Sequence, residues 1–269
     1  MKIHPTAVIH PKAVLADDVE VGAYSVVGEH VTIGAGTRVL SHVSIDGWTD
    51  IGERCELHPF VSVGGPPQHM QYKGEPTKVV IGHDNILREY VTVNRATVQG
   101  GGVTTVGHSN FLMAYVHVAH DCHLGNHLIL ANAASLAGHI SIGDHAIIGG
   151  LSGIHQFVRI GAYAMVGGCC ALGQDLPPFM RAAGGYRARM YGLNSIGLRR
   201  HGFSAERIAA LKKAYEVLFR SGHRVAEAVK LAREAFGSSQ DVMQVAEFMQ
   251  GTKRGICRSV GKDQEDEEE

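Results

Sequence analysis

Aliphatic residues recur at every sixth position over most of the chain. From Ile3 the series runs through Ile9, Leu15, Val21, Val27, Ile33, Val39, Ile45, Ile51, Leu57 and Val63. An interruption at 64–80 follows, and the series resumes at Ile81, Leu87 and Val93. After a second interruption at 99–104 it shifts by one residue and continues from Val106 through Leu112, Val118, Leu124, Leu130, Leu136, Ile142, Ile148, Ile154, Ile160, Val166 and Leu172. Four residues after these positions stand small or β-branched side chains such as Ala7, Ala13, Val19, Ser25 and Thr37, and glycine often follows the aliphatic residue directly, as in VGAYSV and IGAGTR. A period of six fits neither a 3.6-residue helix nor a simple alternating strand. It fits short strands joined by tight turns, each turning one aliphatic side chain toward a common inner axis. Beyond Phe203 the repeat ends, and the segments SAERIAALKKAYEVLF, RVAEAVKLAREAF and DVMQVAEFM have helical spacing, with Ser204 placed to cap the first. The pattern predicts a mainly β solenoid over 1–185, a small helical domain over 186–257 and an acidic tail over 258–269.

The repeat is similar to the hexapeptide repeat of the left-handed parallel β-helices, in which three hexapeptides make one triangular coil. The left-handedness comes from that resemblance alone, since a period carries no hand and the usual crossover rule is right-handed. One consequence concerns HVAHDCHLGNH, residues 117–127, whose four histidines are spaced like one face of a helix. On a solenoid this stretch is strand and turn, and residues eighteen apart stack at the strand spacing of about 4.8 Å. Val118, Leu136 and Ile154 then form a column, bringing His120, His139 and His155 to one corner. The column is expected to continue backward through Gln99, Ile81 and Val63, so that both interrupting loops leave near that corner. His108, His127 and His145 make a second ladder, read as turn decoration, and His123 is read as structural or solvent-facing.

Composition narrows the function classes. The net charge is -1, but the terminal KDQEDEEE holds six acids and one lysine, leaving 24 basic and 20 acidic residues elsewhere. No nucleic-acid partner is expected from this balance. MKIHPTAVIH lacks the long apolar core of a secretory signal, and no run of about 18 apolar residues exists, so a soluble cytoplasmic protein without a transmembrane segment is expected. Five cysteines without a CxxC pair suit reduced thiols, with Cys169 and Cys170 read as small packing residues.

The stretches GEPTKVVIG, TVQGGGVTTVG, VHVAHDCHLGN, ILANAASLAGH, AIIGGLSGIHQF, MVGGCCALGQDLPP and GLRRHGFS together resemble the acyl carrier protein-dependent UDP-N-acetylglucosamine O-acyltransferases, which open lipid A synthesis. The resemblance implies transfer of a long 3-hydroxyacyl chain from acyl carrier protein to the 3-hydroxyl of UDP-N-acetylglucosamine, by a homotrimer, with no cofactor and no covalent intermediate. It implies that His120 is the general base, a task suited to an imidazole. Asp121 would orient that ring, and the Gly138 N–H would face the developing oxyanion. His117, His139, His155 and Gln156 would line the substrate groove, as would His69, Met70 and Gln71 from the first loop. Asn194, Arg199 and Arg200 would meet the nucleotide, guanidinium groups binding phosphate oxygens in pairs. Gly168 would set the acyl length, although a tight turn also calls for glycine.

The chain departs from the family pattern at His69, where an acidic residue is usual, at Gln71, where lysine is usual, and at His201, where arginine is common. The two loop departures, His69 and Gln71, keep a 3-amino sugar acceptor open, and His201 implies a softer phosphate contact. A zinc lyase on the same scaffold is the other chemical alternative, but its HxxxxH spacing is absent, because Cys122 stands five residues after His117. No metal ligand set is therefore assigned. A solenoid that kept the scaffold and lost the chemistry is the non-enzymatic reading, opposed by the intact His120–Asp121 pair and by the six arginines between 181 and 207.

Overall fold

The computed structural model describes residues 1–257; the acidic tail lies outside the described residues. Strands of two to four residues wind into three parallel sheets of a triangular prism. Face A starts at Lys2–Ile3, face B at Val8–Ile9 and face C at Val14–Leu15, and the chain visits them in that order on every coil. The second residue of each short strand points inward, so the six-residue series becomes the core: Val21, Ile45, Leu87, Leu112, Leu136 and Ile148 are all buried. The residue four positions later closes each inner corner, which is where Thr37, Cys55, Cys122, Ser152 and Cys170 are buried. Cys169, by contrast, is an exposed turn residue. The recurring glycine after the aliphatic residue answers to the coil above, since a Cβ on Gly52 would lie 2.6 Å from the Gly82 carbonyl carbon.

The register corrects the expected column. Val118 pairs with Val93, and Val93 with Val63, along face B. Ile81 lies instead on face C, paired with Ile51 and Val106. One face-to-face step normally takes six residues, whereas the step from Val63 to Ile81 takes eighteen because the first loop is inserted within it. The insertion is a multiple of six and leaves the phase unchanged, so counting by eighteen assigns Ile81 to the wrong face. The inference about the loops stands on the corrected register. Both connect face B to face C, between Ser62–Gly65 and Lys78–Ile81 and between Thr92–Asn94 and Val103–Val106. His120 occupies the same BC corner, between His117–Val118 and His123–Leu124.

Face A extends past residue 185 through the antiparallel pair Met180–Ala183 and Arg189–Leu193. Four α-helices follow: α1 (Ser195–Arg200), α2 (Ala205–Tyr215), α3 (Val225–Phe236) and α4 (Gln240–Gln250), with π-helical geometry at Glu216–Arg220. Ser204 caps α2 by accepting from the Arg207 N–H. Buried Asp175 fastens the segment after α4 to the last coils. Its carboxylate accepts from the Arg159 N–H and Nε at 2.9 Å each and from Thr252 Oγ1 at 2.9 Å, while Arg159 Nη2 donates to the Phe248 carbonyl at 2.8 Å. Removing Asp175 leaves the Arg159 N–H, Arg159 Nε and the Thr252 hydroxyl without this acceptor, and Arg159 is only partly exposed. Asp175→Ala is expected to lower the free energy of unfolding by about 3 kcal/mol, read from urea denaturation; an unchanged midpoint would contradict the clasp.

Candidate active site

The BC corner builds its chemistry from the repeat. Two residues past each inner aliphatic stand His120, Gly138 and Gln156 on successive coils, and three past it stand Asp121, His139 and Phe157. The latter three have left-handed φ values of 61°, 61° and 66°, which turn the chain sharply onto face C. His120 and Asp121 are buried, at 4% and 2% exposure. His120 Nδ1 lies 2.7 Å from Asp121 Oδ2. An ionised carboxylate only accepts, so Nδ1 carries the hydrogen and Nε2 is left as the acceptor.

The carboxylate is held from the second loop. Thr97 donates its N–H to Oδ1 at 2.8 Å and its hydroxyl to Oδ2 at 2.7 Å, while Thr104 Oγ1 accepts from the Asp121 N–H at 2.8 Å. A Cβ on Gly100 would fall 2.0 Å from the carboxylate carbon, so the loop closes over Asp121 only with glycine there. Thr97, Gly100 and Thr104 were not singled out from the sequence. The loop separates Thr97 from Asp121 by 24 positions, not a multiple of eighteen, so no repeat count brings them together.

Gly138 sits one coil above His120, and the ring leans over it. A Cβ there would be 2.5 Å from His120 Cε1 and 2.9 Å from Nε2. The Gly138 N–H donates to no acceptor among the described residues. His139 stands edge-on to His120 with ring centroids 5.1 Å apart and stacks on Phe157 at 4.5 Å. His69 reaches in from the first loop, edge-on to His120 at 5.3 Å. Met70 and Gln71 beside it are exposed.

His117 and His155 lie on face B and line a groove of about 880 Å³. Its floor is the outer row Ser135, Gly153 and Ala171, and the segment 186–189 walls its far end. Neither Gly153 nor Gly173 has anything within 4 Å of a built Cβ, so the groove is open because these side chains are missing.

The chain is similar to known proteins over nearly its whole length. Models of the bacterial transferase hexapeptide (six repeats) and of UDP-N-acetylglucosamine O-acyltransferase domain 2 match residues 1–35 and 175–257. The acyl-[acyl-carrier-protein]–UDP-N-acetylglucosamine O-acyltransferase of Thermodesulfovibrio yellowstonii is 53% identical over 257 residues, covering 96% of this chain and 99% of that protein. The protein of the same name from Syntrophobacter fumaroxidans is 48% identical, covering 96% and 100%. The chain belongs to the UDP-N-acetylglucosamine O-acyltransferases. The crystal structure of the family member from Moraxella catarrhalis superposes with a TM-score of 0.93 at 42% identity, covering 96% of this chain and 100% of that one, and carries the left-handed β-helix with it.

Other candidate residues of this acyltransferase lie elsewhere on the prism. Asn194 caps α1, its Oδ1 accepting from the Gly197 N–H at 3.2 Å and its Nδ2 donating to the Tyr163 carbonyl at 3.0 Å. Arg199 and Arg200 are exposed at the end of that helix. His201 continues the CA-corner stack, packing on His145 and Tyr163 at 4.9 and 5.3 Å. The second histidine ladder lies on this corner too, His83 on His108 and His127 on His145. Gly168 stands at the AB corner. Its φ is outside the left-handed region, which belongs to Cys169 at 56°, but a Cβ would approach the Gly150 carbonyl oxygen at 3.3 Å.

His120, Asp121 and His139 offer ligand atoms within 4.8 Å of one another. Two ligands on one tetrahedral zinc sit roughly 3.3 Å apart. The 2.7 Å between His120 Nδ1 and Asp121 Oδ2 is the separation of a hydrogen-bonded pair. Burial raises the Cys122 thiol to about 12, which makes it a poor nucleophile and a poor ligand.

Burial lowers His117, His139 and His145 below the usual value of 6.5; nearby histidines push each the same way, while Asp121 at His139 and Asp144 at His145 oppose the shift. Below about pH 6.5 the unfolded chain therefore takes up protons at these sites that the fold resists, and stability falls as pH falls. A thermal midpoint lower by a few degrees at pH 5.5 than at pH 7.5 is expected. His145→Gln should shrink that difference; a midpoint independent of pH would contradict the burial of these rings.

Across the described residues, no helix is long and apolar enough to cross a membrane.

Proposed function

We propose that the chain transfers a 3-hydroxyacyl group from acyl carrier protein to the 3-hydroxyl of UDP-N-acetylglucosamine, in the cytoplasm, as the step that opens lipid A synthesis. The observation that carries the mechanism is the buried pair in which Asp121 holds His120 Nδ1–H and leaves Nε2 free against Gly138. Nε2 takes the proton of the acceptor hydroxyl as its oxygen attacks the thioester carbonyl. The Gly138 N–H receives the negative charge that develops on the carbonyl oxygen. Collapse expels the carrier thiolate, which regains a proton from the imidazolium, and no acyl-enzyme forms. The face B groove takes the extended acyl or carrier arm, flanked by His117, His155 and Gln156. His69, Met70 and Gln71 meet the sugar nucleotide.

A homotrimer completes this site. His120, Asn194 with Arg199 and Arg200, and Gly168 belong to three different corners of one prism, so one chain does not gather them. The AB corner carries an exposed ladder of stacked rings, Tyr24, His42, Phe60, Tyr90 and Tyr115, with centroids 4.8 to 5.1 Å apart. Leu151, 70% exposed, stands further along the same corner. An exposed, mostly aromatic edge of this kind favours packing against another copy. In that assembly Arg199 and Arg200 bind the diphosphate, and Gly168 of a neighbouring copy ends the acyl tunnel.

The test is transfer from 3-hydroxymyristoyl-acyl carrier protein to UDP-N-acetylglucosamine and to its 3-amino analogue, with and without a strong chelator. The expected product is an ester, cleaved by mild base, formed at an undiminished rate in chelator. A base-stable amide formed only from the amino sugar would replace the acceptor, and loss of activity in chelator would replace the mechanism.

A further inference from the structure

We propose that Arg95 is a positioning residue for the acceptor: it pins the middle of the first loop to the solenoid wall and so holds His69 beside His120. Arg95 follows the strand Thr92–Asn94 at the BC corner and is buried. Among the described residues its partners are all neutral. Nε donates to the Tyr72 hydroxyl at 2.9 Å and Nη1 to the Gly64 carbonyl at 2.9 Å. The guanidinium carbon lies 5.8 Å from the centroid of Trp48 and 5.5 Å from that of Tyr72. Tyr72 in turn donates to the Glu75 carbonyl at 2.7 Å, tightening the turn that follows His69.

A buried cation without a counter-ion is expensive, and a fold that only needed to fill this space would do so with an apolar side chain. The chain instead keeps room for it: Gly47 has φ +63°, and a Cβ there would lie 2.3 Å from Arg95 Nη1. The loop's other ties are near its ends, Asn94 Nδ2 to the Pro66 carbonyl at 3.1 Å and Thr77 Oγ1 to the Ala96 carbonyl at 2.5 Å. Between them, among the described residues, the side-chain hydrogen bond from loop to wall is Arg95 to Tyr72, while His69 meets His120 by ring contact alone. Lysine cannot replace it, because a point charge neither forks to two acceptors at fixed angles nor stacks its plane on a ring.

The molecule carries its own reporter. Trp48 is the single tryptophan of the chain, half-buried on face C and stacked on His30 at 4.7 Å. Its emission reads the Arg95 contact directly.

The proposal rests on the assignment of the first loop to the sugar nucleotide, and the experiment separates the two. Tyr72→Phe removes one hydroxyl from a loop outside the solenoid core, so the fold is retained; Arg95→Lys keeps the charge and loses the fork. Both are expected to shift Trp48 emission and raise KM for UDP-N-acetylglucosamine about tenfold, the size of one charged hydrogen bond lost, with KM for the acyl carrier protein within about twofold. Gln71→Ala tests the loop's own contact. If Gln71→Ala raises the acceptor KM while Tyr72→Phe does not, the anchor is overturned and the loop assignment stands. If neither variant moves it, both fall. A drop in kcat with both KM values unchanged also overturns the anchor.

Discussion

His120→Ala is expected to lower the rate of acyl transfer by about 10²- to 10⁴-fold, the range of general-base help from a positioned side chain. Binding of UDP-N-acetylglucosamine should change far less, because the ring's work is done when the hydroxyl loses its proton. The fold should survive, since Asp121 keeps both hydrogen bonds from Thr97 after the imidazole is gone. Asp121→Asn is the sharper companion. Oδ2 receives donors from both His120 and the Thr97 hydroxyl, and an amide nitrogen in its place would face donors with a donor. The amide oxygen can satisfy only one side, so the ring loses its fixed tautomer, and a smaller drop in rate with unchanged acceptor KM is expected. Full activity in His120→Ala would remove the imidazole from the mechanism.

Gly138→Ala carries the second large effect, and it follows from the geometry of stacked coils. The new methyl carbon would sit 2.5 Å from His120 Cε1, 2.9 Å from Nε2 and 3.0 Å from Nδ1. The ring has no room to slide, being buried and bonded to Asp121. It must swing away, which breaks the Nδ1 bond and moves Nε2 from the acceptor. A loss of at least about 100-fold in kcat is expected, equal to removal of the base at the low end of its range. The backbone at Gly138 is outside the left-handed region, so the stability cost should stay within the about 1–3 kcal/mol of local overpacking. A well-folded Gly138→Ala enzyme with ordinary kcat would show that the ring is not held where the structure places it.

Much of this site was readable because the solenoid turns sequence spacing into vertical distance. Wherever the repeat is unbroken, as from Val118 to Ile154, counting eighteen residues gave the true strand neighbours, and His120 and His139 met as that count required, whereas His155 lies on face B in the groove. The count failed across the insertions. It put Gln99, which lies in the second loop, and Ile81, which lies on face C, under Val118 when the face B partner is Val93, and it gave no hint that Thr97 holds Asp121, that Gly100 closes over it or that Arg95 reaches Tyr72.

The repeat by itself determined short strands joined by tight turns around an inner aliphatic axis, and with them the strand-and-turn reading of the histidine-rich stretch, because a six-residue hydrophobic period fits neither a helix nor a simple alternating strand; the triangular coil and its left hand came from the family resemblance. Only the tertiary structure decided which loop residues meet the wall, the tautomer of His120, and the separation of Asn194, Arg199 and Gly168 from the base. Those depend on side chains meeting across insertions and across corners, where distance in space no longer follows distance along the chain.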